Sequence, residues 1–117
     1  MKEQLSMFPE EEVTDTTKLV GIYHNRDLDG FCSGAIIKHR YPNATMIGYD
    51  YGQPIPELEN LDVIMADVSF TMKDMVVWSG LLHVLGRKFT WIDHHKSAMK
   101  DFDEWPDPTK EHITAVL

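Results

Sequence analysis

A chain of 117 residues with 43% apolar content makes one domain with a modest core. Its formal charge of −8 disfavours non-specific binding to long nucleic acid duplexes, which takes a cationic footprint. That count leaves open a carboxylate site holding divalent cations, whose charge it ignores. No stretch reaches the ~20 apolar residues that span a bilayer, so no membrane partner is expected. The N-terminus lacks a charged-then-apolar signal pattern. The one cysteine, Cys32, cannot form an internal disulfide, so a cytoplasmic, reducing location is expected.

Residues 1–18 are polar and acidic, with Pro9-Glu10-Glu11-Glu12 and no apolar period. They read as an irregular N-terminal arm ahead of a domain over 19–117. Leu5, Met7 and Phe8 could pack on that domain or on a partner. Residues 19–23 form a short apolar run, expected to be a buried strand. The loop from His24 to Gly30 follows, with Asp29 as the expected cap of a helix and Gly30 easing a close approach. Phe31, Ala35, Ile36 and His39 fall at helical spacing on that helix, as do Cys32, Ile36 and Ile37, and the helix should stop before Pro42.

A second strand is expected over 45–49, then a loop rich in Gly and Pro over 50–60. A third strand over 63–66 ends at Asp67. Ser69 or Thr71 can cap the next helix, with Met72, Met75, Val76, Leu81, Leu82 and Leu85 as its apolar face. Gly80 suggests an interruption, with a helix over 71–79 that restarts and stops at Gly86. The fourth strand is expected over 89–92. From Ser97 on, Trp105-Pro106-Asp107-Pro108 breaks any pattern, and 112–117 reads as the start of a helix. The alternation implies an α/β fold: a three-layer sandwich, with a mostly parallel sheet flanked by helices.

Three expected strands stop at clustered acids or histidines: Asp27 and Asp29, Asp67, and Asp93-His94-His95. Ligands of open parallel sheets bind at the carboxyl ends of strands, so these groups could converge. Packed carboxylates repel unless cations neutralise them. Oxygen and imidazole ligands suit Mn, Fe, Co or Zn better than Mg alone. Two such ions can clamp a phosphate and activate water. Asp27 and Asp29 could reach different ions, Asp67 could bridge them, and His94 is a candidate ligand. His95 should point elsewhere in an extended chain, towards a phosphate oxygen or the leaving group. Asp93 is either a ligand or the acceptor for a histidine N–H.

Taken singly, these aspartates are as readily helix caps or turn residues, and His24 alone reads as structural. His39 and His83 read as packing or surface residues, His112 as solvated, Cys32 as a packed small residue, and Met65, Met72 and Met75 as core filling. Ser33 and Gly34 could offer amides to a phosphate or simply permit tight packing. Tyr49, Asp50 and Tyr51 could flank a substrate or be ordinary packing residues.

Three motifs in order, His24-Asn25-Arg26-Asp27-Leu28-Asp29-Gly30, Met65-Ala66-Asp67 and Asp93-His94-His95, resemble those of the DHH phosphoesterase superfamily over residues 19–97. The resemblance implies the N-terminal DHH domain fold and two divalent metal ions, usually Mn2+. It implies that His24 and Asp27 hold one ion and Asp29 and His94 the other. Asp67 would bridge them, His95 would contact the phosphate, and Asp93 would support the site from close by. The family's fourth metal-binding aspartate and its C-terminal substrate domain have no match in 96–117. The chain is therefore expected to be a truncated or minimal catalytic half.

The leading expectation is a metal-dependent phosphoesterase acting on a phosphodiester or phosphomonoester of a short oligonucleotide or nucleotide. One alternative is a catalytically incomplete domain that binds metal, nucleotide or a partner chain. The other is an inorganic pyrophosphatase, which would need a cationic grip on pyrophosphate. The apolar run at 113–117 suggests a homodimer.

Overall fold

A computed structural model describes residues 18–57, 60–106 and 109–117. Apart from Lys18, the expected N-terminal arm lies outside the described residues, as do Asp107 and Pro108. The elements run β1 (Leu19–His24), α1 (Leu28–Arg40), β2 (Thr45–Tyr49), β3 (Asp62–Ala66), α2 (Met72–Val84), β4 (Phe89–Ile92), α3 (Lys96–Glu104) and β5 (Ile113–Val116). The five strands form one sheet in the order β2-β1-β3-β4-β5. Its pairings are all parallel.

Side chains alternate across a strand, and that alternation separates two cores. Leu19, Ile64 and Ala66 pack with Ile37 of α1, with Tyr41 and Ala44 just beyond it, and with Ile92 at the margin. Val20, Ile22, Val63, Met65, Phe89, Trp91 and Ile113 face the opposite way, onto Met72, Met75 and Leu82 of α2 and Phe102 of α3. The sheet therefore carries α1 on one face and α2 with α3 on the other. Full burial of Ile22, Met65, Met75 and Leu82, each 0% exposed, contributes roughly 1.5–3 kcal/mol apiece. The Trp91 indole also donates to the Val68 carbonyl at 3.2 Å, which satisfies its one polar atom.

Several expectations are corrected. The cap of α1 is Asp27, not Asp29: its carboxylate accepts from the Gly30 amide at 2.8 Å. The buried face of α1 is Gly30, Gly34 and Ile37, while Phe31, Ala35, Ile36 and His39 are exposed. A stripe led by glycines carries little hydrophobic signal, so of the expected apolar positions only Ile37 is buried, and Cys32 is exposed rather than packed. α2 is continuous through Gly80, capped by Thr71. Leu81 and Leu85 are exposed, and Ser79 lies in the buried face instead.

The tail differs most. Residues 96–104 form α3, so Asp101 and Asp103 are helical rather than irregular, and Pro106 follows the helix instead of breaking it. Residues 113–116 form strand β5 rather than a helix. Pairing with β4, from Phe89↔Ile113 to Ile92↔Val116, decides the conformation of a segment too short to declare it alone. His112 is half-buried, not solvated, and stacks on His83 with centroids 3.8 Å apart.

Gly30 fixes how closely α1 approaches β1. A Cβ there would overlap the His24 carbonyl oxygen and lie 2.7 Å from the His24 carbonyl carbon. Backbone cannot swing aside as a side chain can. Gly30→Ala is expected to destabilise the fold by about 2–3 kcal/mol, within the range of overpacked sites. Thermal unfolding beside an Ala35→Gly control would check this; an unchanged midpoint for Gly30→Ala would show that α1 is free to shift.

Candidate metal centre

The carboxyl ends of the central strands are level: His24 pairs with Tyr49, Tyr23 with Ala66, and Ala66 with Ile92. The chain leaves β1 towards β2 on one side, whereas β3 and β4 lie on the other. The β1–β3 boundary is thus the switch point at which such sheets leave room for a ligand. Residues that directly follow β1, β3 and β4 emerge there side by side.

Asp67 is central. It is 4% exposed, and among the described residues neither carboxylate oxygen has a hydrogen-bond partner. Its backbone takes φ 63°, the only positive value among described non-glycine residues. Aspartate enters this region at lower cost than most residues, and the Asp67 amide is fixed by donating to the Ile92 carbonyl at 2.9 Å. Burial raises the Asp67 carboxyl above the usual range. The His95 and His94 imidazoles pull it back, and the Asp27 and Asp93 carboxylates push it further up.

Two sets of side chains surround this carboxylate. In one, ligand atoms of His24, Asp27 and Asp67 lie within 4.8 Å of one another; in the other, those of Asp67, His94 and His95 do. Asp67 is the shared member. His24 Nδ1 is buried without a hydrogen-bond partner among the described residues and lies 3.6 Å from the Asp27 carboxylate. His94 Nδ1 and His95 Nε2 lie 3.7 and 4.0 Å from Asp67 Oδ1. The donor set, oxygen plus imidazole around buried oxygens with no proton to accept, fits divalent cations.

The supporting contacts explain why these side chains point where they do. Asp27 caps α1 with Oδ1 and keeps Oδ2 beside His24, so structural and ligand roles use different oxygens. The Asp93 side chain is fully buried. Its Oδ1 accepts from the amides of His94 at 2.7 Å and His95 at 3.0 Å, and sits 2.6 Å from His95 Nδ1. A carboxylate here makes Nδ1 the donor, which turns a lone pair on Nε2 towards Asp67.

The turn closed by Asp93 also overturns an expectation. His95 does not point away from His94; the two rings stack, with centroids 5.0 Å apart. Asp93 and Asp29 belong to neither set among the described residues. Asp29 lies in the exposed first turn of α1. Nor do Ser33 and Gly34 sit at a helix start: α1 begins at Leu28, so their amides fall beyond the free first turn. Gly34 is the packing residue, under the Tyr23 ring.

Asp50 was placed in the sequence only as a possible flanking residue, and it proves to hold His24. Its Oδ1 lies 3.1 Å from His24 Nε2, and its other oxygen lies 3.6 Å from Arg26 Nε. It too ends a strand, which was the available signal, but no histidine or second acid adjoins it. Tyr51 packs edge-on to His24, with centroids 5.3 Å apart. Burial and the Asp93 carboxylate raise its phenol, hydrogen bonding to Ser69 lowers it, and Asp67 raises it again. A cavity of about 240 Å³ opens beside Asp67 and His94, bounded by Ser33 and Ile36 of α1 and by Ala66 and Ile92.

Comparison of the chain with protein-family models, with curated proteins and with solved structures returned no match. The resemblance to the DHH superfamily therefore rests on the motifs alone.

The electrostatics of Asp67 give a test in metal-free protein. A carboxyl raised on folding lends stability that is complete below its unfolded value of about 3.9 and lost as pH rises through the folded value. Asp67→Asn keeps the shape, tolerates positive φ and removes the charge. At pH 7 with chelator it should melt about 4–8 °C above the wild type, the equivalent of ~1 kcal/mol in a domain near this size, and the gap should shrink towards pH 4. A lower melting point for the variant at pH 7 would mean that the ionised carboxylate is already stabilised.

Proposed function

We propose that the chain is a divalent-metal-dependent phosphoesterase acting on a nucleotide or short oligonucleotide, of the DHH type. The observation that carries this reading is Asp67, a buried carboxylate without a hydrogen bond among the described residues and common to two three-residue ligand sets. His24, Asp27 and Asp67 would hold one ion; Asp67, His94 and His95 would hold the second. Bound there, the ions, manganese by the resemblance, would neutralise phosphoryl charge and lower the pKa of a water.

The chain's own residues supply the rest. Asp93 keeps Nε2 of His95 turned inward, where it can meet either the second ion or a phosphate oxygen. Asp50 keeps His24 Nε2 occupied, leaving Nδ1 for the first ion. Tyr51 brings a hydroxyl to the mouth of the site, near Ser69, Asp93 and Asp67, as a donor to a substrate oxygen. No helix of the described residues is long and apolar enough to cross a membrane. A reducing cytoplasm suits Cys32, which is exposed and free. Self-association would use β5, an edge strand of the sheet.

A binding domain without turnover is the second reading. It is favoured by Asp29, which the resemblance gives to the second ion and which stands outside both sets.

Hydrolysis of a dinucleotide and of bis-p-nitrophenyl phosphate, with and without Mn2+, separates the two. Manganese-dependent turnover should fall at least ~100-fold in Asp67→Asn, the upper end of what outer contacts to a metal cost. Turnover that survives Asp67→Asn would remove Asp67 from the centre. Folded, metal-loaded protein with no turnover would select the binding domain. Asp50→Ala should weaken metal binding about 10–100-fold as read by calorimetry; unchanged affinity would reduce Asp50 to a loop residue.

A further inference from the structure

We propose that the cavity between α1 and β4 is a subsite for the base of a nucleotide whose phosphate is held at Asp67 and His94. The inference rests on the phosphoester reading for the position of that phosphate. The cavity is continuous with the candidate centre, because Asp67 and His94 line both. A ligand anchored there by its phosphate would have its next group directed into this space or out to solvent.

The lining decides what that group is. Ile36, Ala66 and Ile92 make an apolar wall, and Ser33 places a hydroxyl beside it. Ile36 is 49% exposed on α1, away from the buried stripe of Gly30, Gly34 and Ile37 that joins the helix to the sheet. It is thus available for contact with a ligand. Among the described residues that line it there is no Lys or Arg, so a second anionic group finds no counter-charge in this space. An inorganic pyrophosphate would gain nothing from this wall, whereas a neutral ring would bury its faces on it.

Size points the same way. At about 240 Å³ the space lies below the ~300 Å³ at which pockets for drug-sized ligands begin. It takes one ring system, not a run of nucleotides. The Ser33 hydroxyl can both donate and accept, so one hydrogen bond to the ring edge is available without demanding a particular base. Broad acceptance of bases is the specificity that follows.

Calorimetric titration of the Mn2+-loaded full chain with adenosine 5′-monophosphate, ribose 5-phosphate and hexyl phosphate tests this. Adenosine 5′-monophosphate should bind about ten-fold tighter than ribose 5-phosphate, a gain in line with burying part of one ring. Hexyl phosphate should not match it. In Ile36→Ser, affinity for the nucleotide should fall to that for ribose 5-phosphate, whose own affinity stays unchanged. Equal affinities for nucleotide and sugar phosphate in the wild type would overturn the subsite and leave the phosphoester reading standing. So would hexyl phosphate binding as tightly as the nucleotide, or a variant that weakens both sugar phosphates alike. If neither sugar phosphate binds, the subsite falls together with that reading.

Discussion

Asp67 is a carboxylate placed where a carboxylate is expensive. It lies at the end of a buried strand, in a backbone conformation few side chains adopt, with both oxygens shielded from water and without a hydrogen bond among the described residues. An isolated buried charge costs more than a single turn would justify, and strained backbone gathers where a structure over-determines it. Here the Asp67 amide is tied to β4, and the neighbouring His94, His95, His24 and Asp27 are arranged around its oxygens. The cost is understandable if cations complete the arrangement.

The residues around Asp67 are oriented before any ligand arrives. One oxygen of Asp93 collects two amides and the ring of His95, which converts an extended strand end into a turn and brings two adjacent imidazoles to one side. Asp50 and Tyr51 hold His24 from the other side of the sheet's end. Asp27 starts α1 with one oxygen and faces His24 with the other. Ordinary caps and turns thus do the positioning, and so the structural and functional readings of these aspartates do not compete.

Helix α1 sets the shape of the space beside them. Its glycine stripe brings its backbone against the end of β1 and leaves Ile36 outward, above Ile92 and Ala66 at the cavity. A bulkier packing face would lift the helix away from the strand ends and widen that space. The small residues at this interface therefore bear on the site as well as on the fold.

Much of this was legible in the sequence, because strand, helix and strand ends leave local marks. Short apolar runs marked β1 to β4, Ser69 or Thr71 marked the start of α2, and the acids and histidines after the strands marked the carboxyl edge of the sheet. The parallel sheet with flanking helices followed from their alternation. Strand β5 and the inward face of α1 were not legible, because one depends on a partner strand and the other on small residues whose contribution is closeness rather than hydrophobicity. The same holds within the site. Residue type and strand position grouped Asp27, Asp29, Asp67 and Asp93-His94-His95, whereas His24, structural when read alone, joined them only through the family resemblance. Only the tertiary structure decided that Asp93 is an orienting acceptor, that Asp50 holds His24, and that Asp29 stands apart, because side-chain direction depends on hydrogen bonds between segments far apart in the chain.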